Sequence, residues 1–104
     1  MERRLWTEDG NPLRIRCYDN GGKTMDRYTV VFNAVPNYDG RVIFFSSGTD
    51  PRGMSYVMDV DKSRFTVNDK RVAFVDLPDM VQRTVVRMYC ELFEINNKPE
   101  KWSK

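Results

Sequence analysis

The sequence predicts a small α+β domain in which a mainly antiparallel sheet of about four to six strands packs against one long C-terminal helix. Short alternating or continuous apolar runs fill most of the chain, glycine- and proline-rich turn signals separate them, and one late stretch repeats its apolar residues at helical spacing. The chain has 104 residues, of which 40% are hydrophobic and 31% charged, which is typical of one folded domain.

Three segments are expected along the chain. Residues 1–12 are polar and contain Gly10 and Pro12, so they are predicted to form an N-terminal arm or edge element. Residues 13–97 form the single α+β domain, and residues 98–104 form a charged C-terminal tail.

The first two strands are predicted to form a hairpin. From Leu13 to Tyr18 apolar and polar residues alternate with the period of two that is typical of a strand with one face on a core. The β-rich run from Arg27 to Phe32 follows, and the intervening Asp19–Lys23 is rich in residues that tolerate a positive φ.

A central strand and a second hairpin are expected next. Residues 41–46 are apolar on both faces and lie between strong turn signals, which predicts a buried strand. Residues 55–60 alternate again, and residues 65–67 and 72–75 are predicted to pair across a polar turn.

The helix is the clearest element in the pattern. Pro78 and Asp79 are favourable in a first helical turn, and Asn96, Asn97 and Pro99 are expected to end the helix. Its predicted core stripe is Val81, Val85, Met88, Leu92 and Ile95.

Several chemistries are disfavoured by the residues. The chain has no histidine, which removes Ser-His-Asp and Cys-His nucleophiles and histidine metal sites. Gly22-Lys23-Thr24 fails as a P-loop because Cys17 stands where the first glycine belongs, and a calcium loop starting at Asp59 fails because Arg64 replaces its glycine. We therefore expect no catalytic residue, no metal site and no cofactor, and a protein that is not an enzyme.

A reducing cytoplasm is the expected location. Residues 1–9 contain no apolar run, and no stretch approaches the roughly 20 apolar residues that span a bilayer. Cys17 and Cys90 fit no redox or metal spacing and are interpreted as small core residues, which suits a reducing compartment.

Two loops and one strand face carry the candidate binding residues. Arg14, Arg16 and Tyr18 share a parity and are predicted to leave the sheet on the solvated face, where they suit phosphate contacts and base stacking or simply favour solubility. Exposed tyrosine and tryptophan would strengthen an interface, but Trp6 and Trp102 are equally suited to pinning the termini. The candidate set is Asp19, Asn20, Lys23, Arg27, Arg14, Arg16, Tyr18, Tyr38, and Asp50 and Arg52 of the Ser46–Gly53 loop.

The block from Cys17 to Thr24, followed by residues 26–31, resembles small uncharacterised proteins of bacteriophages and other mobile elements. This resemblance implies a setting, an accessory protein made from a phage or prophage inside a bacterium, and it implies no activity.

A protein that binds and modulates a host or defence protein is the leading functional hypothesis. The alternative is a nucleic-acid-binding module that uses the basic strand face and the glycine-rich loop. An enzyme that uses the loop acids and Lys23 ranks third. A homodimer through an uncovered sheet edge remains open.

Overall fold

A computed structural model describes residues 4–23, 26–37, 41–47, 54–59 and 70–102, and it confirms the α+β class. The described strands are β1 (Ile15–Asp19), β2 (Tyr28–Phe32), β3 (Arg41–Ser46), β4 (Met54–Asp59) and β5 (Lys70–Val72), and the helix is α1 (Asp79–Leu92). Two short 3-10 turns, Phe74–Asp76 and Glu100–Trp102, flank the helix in the chain.

The five described strands form one antiparallel sheet in the order β4-β3-β2-β1-β5. Strands β1 to β4 follow one another as a meander, and the antiparallel pairing of β1 with β2 confirms the predicted first hairpin. Strand β5 then pairs with the free side of β1, with Cys17 opposite Val72 and Asp19 opposite Lys70. The strand count lies within the predicted range.

The start of the first strand differs from the prediction. The strand begins at Ile15 rather than Leu13, and Leu13 is 41% exposed. The reason is local: Pro12 forms an isolated bridge with Trp6, and Leu13 donates its N–H to the carbonyl of Leu5 at 3.1 Å. The N-terminal arm thus takes the pairing that a longer β1 would have used.

The predicted strand over residues 72–75 is also wrong beyond Val72. Ala73 leaves the sheet and the next three residues turn as a 3-10 helix, which buries Phe74 and leaves Val75 54% exposed. The predicted partner strand, residues 65–67, lies outside the described residues.

The prediction for β3 is confirmed. Val42, Ile43 and Phe44 are all at most 2% exposed although they point to alternate faces of the sheet. Strand β3 is flanked by β2 and β4, so it has no free edge among the described strands. A continuous apolar run is therefore what this position needs.

Helix α1 packs one apolar stripe against the sheet. Val81 and Val85 are fully buried as predicted, whereas the predicted Met88 and Leu92 are half-buried and Ile95 lies beyond the helix. Val86 and Tyr89 are buried instead, so the stripe is shifted from the predicted one. The helix ends at Leu92, before the predicted stop at Asn96. Glu94, just after the end of the helix, adopts a positive φ of 55°. Across the described residues, no helix has the length and apolar character that a membrane span needs.

The two ends of the described chain are joined to each other and to the helix. Tyr89 is completely buried and donates its hydroxyl to the carbonyl of Leu5 at 2.7 Å. Trp102 donates its indole N–H to the carbonyl of Gly10 at 2.7 Å, and Lys101 donates to Asn11 Oδ1 at 2.7 Å. Part of the predicted charged tail is thus packed on the arm.

We expect Tyr89→Phe to lower the free energy of unfolding by about 1 kcal/mol, because the hydrogen bond from the buried Tyr89 hydroxyl is lost while the Leu5 carbonyl keeps the N–H of Leu13 as its second donor. Urea denaturation measures the change. Tyr18→Phe is the matched control, because Tyr18 is half-buried and its hydroxyl has no hydrogen bond in the described structure; its effect should stay below about 0.5 kcal/mol. Equal effects of the two changes would contradict the role of this hydrogen bond.

Candidate functional site

The glycine-rich loop after β1 is built by its own polar side chains. Asp19 Oδ1 accepts the N–H of Gly21 at 2.7 Å, and Asn20 Oδ1 accepts the N–H groups of Gly22 and Lys23 at 2.8 and 3.1 Å. Gly21 and Gly22 have φ values of 76° and 88°, which only glycine adopts without strain. The side chains of Asp19 and Asn20 therefore shape this loop.

An ion pair closes the same loop. Arg27 donates from Nε to Asp19 Oδ1 at 2.8 Å and from Nη2 to Oδ2 at 3.1 Å, a bidentate arrangement. The hydrogen bond from Arg27 holds the pKa of Asp19 below its usual range, and the N–H of Gly21 and the charge of Lys70 act in the same direction. Within the predicted loop site, Lys23 is left as an exposed cation while Asp19, Asn20 and Arg27 bond to one another or to the loop backbone.

The predicted basic face of β1 is present but is not an open, solvated surface. Arg16 and Tyr18 share the face opposite the helix and are half-buried, and Arg16 Nη2 donates to Asn33 Oδ1 at 3.1 Å. On the same face, Val31 and Ile43 are each only 1% exposed. Our expectation of a solvated face was therefore wrong at its centre.

Arg14 and Arg71 change the composition of this basic face. Arg14 lies just before β1 instead of within it, and its carbonyl accepts the N–H of Asn33 at 2.8 Å. Arg71 lies directly opposite Tyr18 in the β1–β5 pairing, so it joins Arg16 and Tyr18 on one face. Arg71 is exposed, and sequence analysis missed it because only the register of β5 brings it here.

An open groove of about 450 Å³ lies where β5 leaves β1. It forms because β5 has three residues and β1 has five, so Ile15 and Arg16 continue past the end of their partner. The lining residues are Pro12, Ile15, Arg16 and Cys17 on one side and Arg71, Val72, Ala73 and Phe74 on the other.

The register also directs backbone groups into this groove. The N–H of Asn33 bonds to Arg14 and the N–H of Asn20 bonds to Arg27, so even-numbered residues of β1 direct their N–H and C=O toward β2. Odd-numbered residues consequently face β5. Cys17 and Asp19 meet partners there, whereas Ile15 comes opposite position 74, which has already left the sheet.

The far wall of the groove is held in place by side-chain hydrogen bonds. Gln82 of α1 donates its amide N–H groups to the carbonyls of Val75 and Leu77 at 3.1 and 2.7 Å, and the Asp76 carboxylate accepts the N–H of Ala73 at 3.3 Å. These bonds fix the 3-10 turn to the start of the helix. The groove is therefore a preformed feature of the fold.

Two exposed apolar side chains belong to residues that are next to groove-lining residues in the sequence. Among the described residues, Leu13 and Val75 are the exposed large hydrophobic residues, at 41% and 54% exposure. Each follows directly after a lining residue, Pro12 or Phe74. Exposed apolar groups beside a depression that contains arginine are common at protein-binding surfaces.

Cys17 forms part of the wall of this groove, and its thiol is held in the protonated form. Burial raises its pKa to about 12, although the charge of Arg71 partly opposes the shift. The thiol is therefore protonated at neutral pH and poorly reactive. The second cysteine, Cys90, also has a raised pKa because it is partly buried.

A smaller groove of about 310 Å³ lies at the end of α1, lined by Pro36, Asn37, Glu91, Leu92 and Glu94. In the part of the chain that the structure describes, no group of three or more His, Cys, Asp or Glu side chains is placed to hold a metal ion.

The remaining predicted residues divide into two groups. Tyr38, Asp50 and Arg52 lie outside the described residues, so their predicted roles remain predictions. Trp6 packs against the core with its ring 5.1 Å from that of Tyr89, and Trp102 is buried, so both tryptophans pin the termini.

A scan against protein-family models, a search of curated proteins and a search of solved structures each found no match to this chain. The resemblance to phage proteins therefore stays a prediction, and function is inferred from the residues and their geometry.

We expect Arg27→Gln to raise the pKa of the Asp19 carboxyl toward its ordinary value of 3.8, because the main cause of its lowered pKa is removed. At pH values above 3.8 the Asp19–Arg27 pair stabilises the folded loop. This stabilisation is lost as the pH falls through the lowered pKa of Asp19. Carbon-13 NMR titration of the carboxyl groups measures the midpoint.

The control for this titration is Arg83→Gln, which breaks a different Asp–Arg pair, the exposed one with Asp79. It should leave the Asp19 midpoint unchanged. An unchanged midpoint in Arg27→Gln as well would show that the ion pair does not set this pKa.

Proposed function

We propose that the protein acts by binding another protein, as a small phage-type accessory protein that modulates a host or defence component in the bacterial cytoplasm. The observation that carries this proposal is the groove between β1 and β5, which combines a preformed depression, two arginines and exposed apolar neighbours. Arginine is enriched at protein interfaces, and apolar side chains in their centres drive association.

The loop that we first considered contributes less to this proposal. Asp19 and Arg27 are already bonded to each other in a bidentate pair, so a partner that bonds to either side chain has to share it with the existing pair, which is a cost. The groove has no such cost at Arg71, whose guanidinium has no ion pair in the described structure. The proposed interface is therefore centred on the groove, with Lys23 of the loop at some distance along β1.

Photo-crosslinking inside bacterial cells tests this function. A p-benzoylphenylalanine side chain placed at position 75 or position 13 should give a discrete adduct with one partner, because both sites flank the groove. In the variant that carries the probe at position 75, Leu13→Asp should lower the yield of the crosslinked adduct several-fold, because it places a charge in an apolar contact.

The matched control carries the same probe at position 87, an exposed site on α1 away from the groove lining. No discrete adduct is expected there. The proposal fails if positions 75 and 13 give no adduct, or if position 87 gives the same one.

A nucleic-acid-binding module is the second candidate, and one observation favours it: Arg16, Tyr18 and Arg71 lie on one face of the sheet. Guanidinium groups around an aromatic ring suit phosphate contacts and base stacking. Against it stand a net charge of only +2 and the apolar residues beside the groove.

If this second function holds, replacing Arg14, Arg16 and Lys23 together by Ala should weaken binding to a single-stranded oligonucleotide. The slope of log affinity against log salt should become shallower by about 2, since each lost phosphate contact removes roughly 0.7. Fluorescence anisotropy over a NaCl series measures both quantities.

The matched control removes three exposed cations elsewhere in the molecule, Arg83, Arg87 and Lys98. It changes the net charge equally but leaves the groove and the β1 face intact. The same loss of slope in both triple variants would indicate nonspecific attraction and would exclude a nucleic-acid site on β1.

A further inference from the structure

The chemistry of the groove indicates what kind of segment it receives, and this inference rests on the proposed function. We propose that the groove binds an extended segment of the partner protein that carries an acidic side chain. Its carboxylate lies between Arg16 and Arg71, and its backbone pairs with Ile15.

Charge complementarity selects an acidic group. The eight lining residues include Arg16 and Arg71 and no acidic residue. The nearby Asp76 is not among the lining residues, and its carboxylate accepts the N–H of Ala73. Guanidinium groups bind carboxylates through paired hydrogen bonds, which makes an aspartate or glutamate side chain a suitable ligand.

The open backbone of β1 selects an extended segment. Strand β5 pairs with β1 only as far as Cys17, and the register directs the N–H and C=O of Ile15 toward the position that β5 has left. An extended residue of the partner can pair with Ile15 there, which is β-strand addition limited to one residue pair between Leu13 and Cys17. The paired stretch is short, because the N–H of Leu13 is already bonded to Leu5.

The apolar surroundings favour a peptide over a nucleic acid. Pro12, Val72 and Phe74 line the groove, and Leu13 and Val75 are exposed next to it. An extended peptide alternates its side chains, so an acidic residue facing the arginines has neighbours that face the other way. Apolar neighbours in the partner segment fit the exposed Leu13 and Val75.

Titration of the full chain with a defined peptide tests this inference. The probe is an acetylated and amidated peptide, Val-Glu-Val-Glu-Val, and its uncharged counterpart has Gln in place of Glu. In nitrogen-15 NMR spectra, the acidic peptide should shift the amide signals of Ile15, Arg71 and Ala73, and the Gln peptide should bind at least about tenfold more weakly.

Three variants locate the charge contact. Arg71→Gln should weaken binding of the acidic peptide about tenfold, whereas Arg71→Lys should retain part of the affinity because the charge remains. Arg87→Gln changes the net charge equally on the exposed surface of α1 and should leave the affinity unchanged. The unbound spectra show whether each variant is folded.

Three outcomes would overturn the inference: equal binding of the Glu and Gln peptides, shifts confined to the groove around Asn37 and Glu91, or stronger shifts of the Ile15 and Ala73 amides by an oligothymidine than by the peptide. If the peptide fails but probes at positions 75 and 13 still crosslink to a protein, the proposed function stands and only the acidic segment is rejected. If crosslinking also fails, the function falls too.

Discussion

The rest of the structure depends on the hydrogen bond from the Tyr89 hydroxyl to the carbonyl of Leu5. The side chain is completely buried between helix and sheet, where a phenol without a partner would be costly, and the Leu5 carbonyl supplies the partner. The rings of Trp6 and Phe93 pack at 5.1 and 4.6 Å from the same side chain. The helix thus docks in one position, and the N-terminal arm is fixed beside β1.

The fixed arm explains the position of the groove. The arm pairs Trp6 with Pro12 and Leu5 with Leu13, so Pro12 is fixed just before β1 and the strand begins only at Ile15. On the other side, Gln82 ties the 3-10 turn to the helix and fixes Phe74 as the facing wall. One core contact and one helix side chain therefore determine both walls, although neither Tyr89 nor Gln82 was a binding candidate in the sequence.

Local patterns predicted the elements well and the long-range pairing poorly. The double-sided apolar run of β3 and the proline-acid start of α1 are visible within a few residues, and both are confirmed. The pairing of β5 with β1 joins residues far apart in sequence, so no local pattern shows that Arg71 lies opposite Tyr18. Within the loop, composition predicted the turn, but it did not distinguish Asp19 from Asp26 as the partner of Arg27.

The joining of the two chain ends has a consequence for the order in which the molecule assembles. The bonds from Tyr89 to Leu5 and from Trp102 to Gly10 close loops of 84 and 92 residues, which are slow contacts to form. The meander and the helix rest on shorter-range contacts and can form first. Pro12 reaches the groove only when the arm docks, so the groove is complete only in the finished molecule. A ligand that binds only the complete groove stabilises the docked arm by mass action. Ligand binding is therefore coupled to the contacts that join the two ends of the described chain.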